Sequence, residues 1–253
     1  MRFLQAKEIL ERCRDVRPAR VDVQVWPLML QGDATERLQC ESVLSQEEAG
    51  RAARFFHEHH RAWFIFSHGF MRRILAARCG VDAAALQFGV GERGKPFIAA
   101  QCQPRDAQVS FNLSHSEGRA LLVVSDGRDV GADIEAVNPR TSVLNIAGSY
   151  FSGPELAAIR EAPAERTLDT FFRYWTAKEA VLKAQGCGLG APLDSFCILF
   201  DAASESAVVE TYDTAHIEPG WQVRALAVEE GWHAAVAARG DGWSSAVVGE
   251  PGP

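Results

Sequence analysis

Asp133 and Glu135, two residues apart in the run VGADIE, are the first side chains whose spacing suggests chemistry. On a β-strand, residues two apart project to the same face, so the two acids point together while Ile134 faces the core. Adjacent carboxylates repel each other, which is costly unless a cation sits between them. Hard oxygen donors with no neighbouring His or Cys favour magnesium or manganese over zinc. A solvated strand face, with one carboxylate turned to water, fits the same residues equally well.

The run FFRYWTAKEAVLKAQGCGL shifts that balance. Leu168, Phe171, Phe172 and Trp175 follow the i, i+3, i+4, i+7 spacing of a buried helical stripe. Glu179 and Lys183 continue the same line, one turn apart. An exposed i, i+4 ion pair would contribute a few tenths of a kcal/mol and nothing more. Here the charges extend the apolar stripe, where they are partly desolvated, as catalytic groups usually are. Glu179 then either completes a three-carboxylate cation site or acts as a base, and Lys183 is placed to meet a phosphate. In FNLSHSEG, a strand carrying Phe111 and Leu113 runs into Ser114, His115 and Ser116, all able to bind phosphate oxygens. A lone His at a strand end is more often structural than catalytic.

Other motifs are weaker. GVGERGKPF, residues 89–97, fits both G-x-G-x-x-G and the beginning of a P-loop. A P-loop needs Ser or Thr after its lysine and a helix starting there. Pro96 supplies no hydroxyl and pushes Lys95 toward extended geometry. KPFIAA does not start a helix, so the dinucleotide fingerprint fails as well. What is left is a glycine-rich turn before a short strand, or a turn that presents Lys95 to an anion. HEHHRAW lacks the second zinc-protease histidine, since Arg61 stands there, so His57, His59 and His60 read as helix-surface residues. His216 and His233 fall in expected strands with no identifiable partner, and no G-x-S-x-G is present.

The elements that must position these residues read as α+β in both halves. VDVQVWPLML forms a strand whose Pro27 implies a sheet edge or a strand end. Residues 45–80 read as one helical run, with Ser45 as N-cap and Glu48 closing a capping box, a break expected at Gly69 and a stop at Gly80. Short strands follow at 96–99, 109–113 and 120–125, and SDGRD makes a turn before VGADIEAV. Helices are expected around 143–151, 154–160 and 168–185, the last stopped by Gly186. FCILF, AVVETY, WQVRALAV and WHAAVAA then read as strands of an antiparallel sheet. The tail GEPGP reads as frayed.

The chain has 253 residues and a formal net charge of -7, which argues against general nucleic-acid binding. Residues 1–126 carry 17 Lys and Arg against 15 Asp and Glu, and residues 127–253 carry 9 against 18. Two halves follow: an N-terminal one, 1–126, with basic residues to meet anions, and a C-terminal one, 127–253, with acids to meet cations. Two solvated surfaces of differing composition are the plain alternative. No apolar run approaches the roughly 18 to 20 residues a membrane helix needs. The start, MRFLQAKEIL, has no signal-peptide pattern. Six scattered cysteines without a C-x-x-C pair suit a reducing cytoplasm.

Together, FNLSHS, VGADIE and FFRYWTAKEAVLKAQGCGL resemble, in order and spacing, the signature of the Sfp-type 4′-phosphopantetheinyl transferases, and GERGKPF looks like that family's G-K-P segment. The likeness covers roughly residues 45 to 200. The main departure is Ala132, where Val or Ile is usual in the family. The resemblance implies two similar α+β halves, related by a pseudo-twofold and packed around a coenzyme A cleft. It implies transfer of the phosphopantetheine arm to a serine of an apo acyl or peptidyl carrier protein, with release of 3′,5′-ADP. Asp133, Glu135 and Glu179 match its magnesium-binding acids, with manganese as the alternative ion. Lys183 matches the pyrophosphate lysine, Ser114 and His115 match phosphate contacts, and Lys95 matches a coenzyme contact. Arg61 falls where the family carries basic residues for the 3′-phosphate.

The residues' chemistry agrees with that reaction. Breaking a pyrophosphate needs charge neutralised on the transferred phosphorus and on the leaving phosphate. A serine hydroxyl needs a base within hydrogen-bond reach, and Glu179 is the candidate, directly or through water. Two other functions remain at this stage: a non-catalytic module that binds coenzyme A or a nucleotide, and a magnesium-dependent phosphotransferase using a nucleoside triphosphate, which Pro96 disfavours. The basic first half, or an apolar patch between the halves, is expected to take the acidic carrier. One chain with both halves fused is expected to act as a monomer.

Overall fold

The computed structural model describes residues 1–13, 21–187, 190–201 and 204–250. Gly188 and Leu189, at the end of the GCGL segment, and the last three residues of the tail lie outside the described residues. Helices and mainly antiparallel sheets give the α+β class expected from sequence. The chain sorts into two compact units. One comprises residues 2–89, 96–127 and 244–253, the other residue 1, 90–95 and 128–243.

The first unit runs α1 (Ala6–Arg12), β1 (Val23–Met29), α2 (Ala34–Glu41), α3 (Gln46–Ala52), α4 (Glu58–Cys79), the short pair β2 (Phe88–Val90) and β3 (Pro96–Ile98), then β4 (Val109–Ser116) and β5 (Arg119–Asp126). The other unit supplies β6 (Val130–Ala136), α5 (Val143–Tyr150), α6 (Gly153–Glu161), α7 (Thr167–Gln185), β7 (Phe196–Phe200), β8 (Ser206–Thr211), β9 (Trp221–Leu226) and β10 (Trp232–Arg239). The chain ends in β11 (Ser245–Val247), which belongs to the first unit.

In the first unit the strand order is β11-β1-β5-β4. Pro27 therefore does not mark a sheet edge. β11 pairs only with Val23–Val25, and the nitrogen of Pro27 faces that side beyond the end of β11, where no ladder N–H is needed. The core forms where Phe64, Phe70, Ile74 and Leu75 of α4 meet Phe111, Leu122 and Val124 of the sheet. Burying each such side chain stabilises by about 2 kcal/mol.

The helical run expected over 45–80 is two helices. Ser45 caps α3 and Glu48 closes the capping box, as the sequence indicates. The break falls at 53–57 instead of at Gly69. In one straight helix, Glu48 and Arg72 would stand about 36 Å apart. Folding α3 back brings Arg72 Nε within 2.5 Å of Glu48 Oε2, and His68 Nδ1 within 3.0 Å of Oε1. Gly69 serves a close approach: a Cβ there would lie 2.7 Å from the Cα of Cys40 on α2.

The second unit is one antiparallel sheet, β6-β10-β9-β8-β7, with α7 across one face. Ala177, Ala180, Val181 and Ala184 of α7 pack on Ala235, Ala237, Val223 and Phe196. Farther up, Phe171 and Phe172 are buried with Phe151, while Leu168 and Trp175 pack half-buried beside them. α7 stops where Gly186 turns left-handed at φ 76°.

Candidate active site

The site begins with how closely α7 lies on β6. A Cβ on Gly131 would come within 2.2 Å of the Ala180 carbonyl oxygen and 2.3 Å of the Ala184 amide nitrogen. Only glycine permits that contact. By strand alternation Gly131, Asp133 and Glu135 share the α7 face, and Ala132 and Ile134 lie on the opposite one. The carboxylates therefore project along a helix whose Glu179 and Lys183 stand next to Ala180 and Ala184 in the chain.

The acids meet there. Lys183 donates from Nζ to Asp133 Oδ1 at 2.5 Å. Asp133 is 1% exposed, whereas the Lys183 side chain keeps 31% of its surface. Burial raises the Glu179 carboxyl above its usual pKa, and the nearby charge of Asp133 raises it further against the pull of Lys183. Glu179 Oε1 is buried with no hydrogen-bond partner among the described residues. Glu135 is half-buried two residues along the same strand face, in register with His233 of β10.

Among the described residues no three His, Cys, Asp or Glu side chains are gathered closely enough to hold a metal ion as they stand. The donor chemistry nonetheless fits a hard divalent cation: two carboxylates whose repulsion is felt at Glu179, one of them with an orphaned buried oxygen, with the Cys187 thiol near enough to feel the Glu179 charge.

Lys95 lies in the 90–95 segment that belongs to this unit. Its Nζ donates to the Val130 carbonyl at the start of β6, at 3.1 Å, and to the Ala184 carbonyl in the last turn of α7. Its stem lies against Gly186, and burial lowers its pKa. The ammonium thus joins the near ends of the two elements that carry the acids, and one N–H is left for another acceptor.

The other three site candidates belong to the first unit. β4 continues through Ser116, so Ser114 and His115 lie within the strand and project to opposite faces. Ser114 is buried in register with Leu121, and His115 is exposed in register with Ala120. Arg61 lies in the first turn of α4, and its Nε is buried with no hydrogen-bond partner among the described residues. His57, His59, His60 and Trp63 stack around that helix start, with all three histidines exposed.

Sequence reasoning missed Lys178, immediately before Glu179. Its side chain is fully buried and ion-paired at 2.9 Å with the equally buried Glu155 of α6. The signal available was the capping-box spacing of Ser152 and Glu155, which the structure forms. Gly131 was also overlooked. A glycine inside a strand, two residues before a carboxylate, signals that another backbone comes close.

The α+β fold and the placing of buried acids beside Lys183 at the β6/α7 seam define the class of the site, and comparison with known proteins gives the family. A sequence model described as the 4′-phosphopantetheinyl transferase superfamily matches residues 129–237. A second, described as 4′-phosphopantetheinyl transferase, N-terminal, matches residues 32–127. The 4′-phosphopantetheinyl transferase HetI of Nostoc sp. is 34% identical over 168 residues, covering 66% of this chain and 70% of HetI. A 4′-phosphopantetheinyl transferase of Bacillus subtilis is 33% identical over 157 residues, 62% of this chain and 66% of that protein. The 4′-phosphopantetheinyl transferase Sfp of Bacillus subtilis is 27% identical over 196 residues, 74% of this chain and 83% of Sfp. The chain belongs to the 4′-phosphopantetheinyl transferase family. None of its described helices is long and apolar enough to cross a membrane.

Proposed function

We propose that this protein transfers the 4′-phosphopantetheine arm of coenzyme A to a serine hydroxyl of an apo acyl or peptidyl carrier protein, acting as a monomer in the cytoplasm. The observation that carries the reading is the meeting of Asp133, Glu179 and Lys183 at the β6/α7 seam, in a chain of this family. In the reaction the serine oxygen bonds to the phosphorus bearing the pantetheine arm. The bond from that phosphorus to the bridging oxygen breaks, and 3′,5′-ADP leaves with the electron pair.

Asp133, Glu135 and Glu179 are the residues that would hold Mg²⁺, or Mn²⁺ in its place. When bound, the ion neutralises pyrophosphate charge as a Lewis acid. Lys183 supplies positive charge beside the leaving phosphate. Glu179, kept basic by burial and by the Asp133 charge, accepts the serine proton directly or through a water. Ser114 and His115 contribute phosphate contacts, and the orphaned Arg61 Nε is a donor for the 3′-phosphate. Lys95 offers its remaining N–H to the coenzyme.

The test is mass spectrometry on a panel of apo carriers incubated with this protein, Mg²⁺ and either coenzyme A or ATP. A carrier that gains one phosphopantetheine, with one 3′,5′-ADP released per event, is the expected result. Coenzyme A binding with no carrier modified across the panel would make the protein a binding module, and modification from ATP alone would make it a different phosphotransferase.

A further inference from the structure

Among the described residues, a fully buried ion pair of the second unit lies outside the proposed site, one residue from it along the chain. Lys178 and Glu155 have fully buried side chains. Desolvating an ammonium and a carboxylate is a costly way to build a core, and apolar residues of similar volume are often as stable or more so. An apolar pair, however, would not fix a direction.

Lys178 Nζ donates to three acceptors on three segments. They are the Leu193 carbonyl in the turn before β7 (2.7 Å), the Phe196 carbonyl at the start of β7 (2.8 Å) and Glu155 Oε1 on α6 (2.9 Å). An ammonium has three N–H groups, so none is spare. Glu155 is held just as firmly. Oε1 accepts from the Ile198 amide at 2.8 Å, and Oε2 accepts from the Ser152 amide at 3.0 Å and its hydroxyl at 2.8 Å. The rings of Phe196 and Phe151 flank the ammonium at 4.0 and 5.6 Å.

This arrangement bears on the site through the helix. A roll of α7 by roughly 10° moves a side-chain end, some 5–6 Å off the axis, by about 1 Å. Errors of that size in a reacting geometry cost about 100-fold in rate. The small residues Ala177, Ala180 and Ala184, which face the sheet, offer little resistance to such a roll, whereas Lys178, about 100° round the helix from Ala177, ties α7 to β7 and α6. We propose that Lys178 and Glu155 are positioning residues: the pair sets the roll of α7, and so the meeting of Glu179 and Lys183 with Asp133.

The role assigned in catalysis rests on the transferase reading above, so the primary test is independent of turnover. The coupling between Asp133 and Lys183 is measured by urea unfolding of Asp133→Asn, Lys183→Met and the double variant. The cycle is then repeated in a Lys178→Met/Glu155→Gln background. The expected result is a clear coupling in the native background that is lost in the second. Coupling of equal size in both overturns the inference. If that background fails to fold, Lys178→Arg replaces it, keeping the charge but displacing the donor atoms, with the same two outcomes. In the second arm, kcat in the altered background is expected to fall at least tenfold while KM for coenzyme A stays within about twofold, the signature of lost geometry in the transition state. Loss of coupling with an unchanged kcat would leave the roll-setting pair standing and count against the transfer site itself.

Discussion

Replacing Gly131 by alanine places a methyl group 2.2 Å from the Ala180 carbonyl oxygen and 2.7 Å from the Ala184 Cα. Ordinary contact begins near 3.4 Å, so β6 and α7 must separate by about 1 Å at this point. Neither obstacle can swing aside, because both are helix backbone. Overpacking of this kind costs about 1–3 kcal/mol of stability. The larger effect falls on the seam, since Asp133 is two residues along the strand and Glu179 and Lys183 flank the displaced residues of α7. A shift of about 1 Å there predicts a loss near 100-fold in kcat. The assay is steady-state transfer from labelled coenzyme A to a modified carrier, run well below the unfolding temperature, beside a urea titration. A Gly131→Ala protein that is native in both kcat and stability would refute the claim that strand and helix backbones are in contact here.

Glu48 gives a pH prediction. Burial alone would raise its carboxyl, but bonds from His68, the Ser45 amide and Arg72 outweigh that and bring it to about 2, from 4.5. Its folded value is the lower one, so its contribution is fully present above 4.5 and disappears as pH falls toward 2. That contribution is about 3 kcal/mol at most, and Glu48→Gln should flatten the acid limb of a urea stability profile across that window. Glu117 has φ 41° in the two-residue turn joining β4 to β5, a conformation that suits Asn or Gly better than Glu. Glu117→Asn should raise the thermal midpoint by about 2 °C, for roughly 0.5–1 kcal/mol gained, and a lower midpoint in calorimetry would show that the side chain has another role.

Local signals in the sequence were legible where neighbouring residues decide the structure. Ser45 and Glu48 sit three apart and form their capping box, and α7 begins and ends within a residue of where its apolar stripe and Gly186 indicate. The acid strand and the line of Glu179 and Lys183 were legible because periods of 2.0 and 3.6 residues fix which side chains share a face. What sequence could not supply depends on partners far along the chain. β11 is three residues long and exists through pairing with β1, more than 200 residues earlier. Residues 53–57, where α3 gives way to α4, hold no Gly or Pro, and the bond from Arg72 to Glu48 that spans the fold-back joins residues 24 apart in the chain. Lys178 reads as one more polar residue in an amphipathic helix until α6 and β7 surround it. Ser114 and His115 look like a cluster in sequence, but β4 runs through both and turns them apart.

The central claim is that Asp133 and Glu179, with Lys183 between them in charge, grip the diphosphate of coenzyme A together with a divalent ion. Single-turnover transfer followed across a Mg²⁺ titration, for the native protein and for Glu179→Gln and Asp133→Asn, tests it most directly. A native rate that rises to saturation with Mg²⁺, and variants that stay folded but at least 100-fold slower at the highest concentration, is the predicted result. Transfer at the native rate by either folded variant, or a native rate indifferent to chelation of divalent ions, would contradict it.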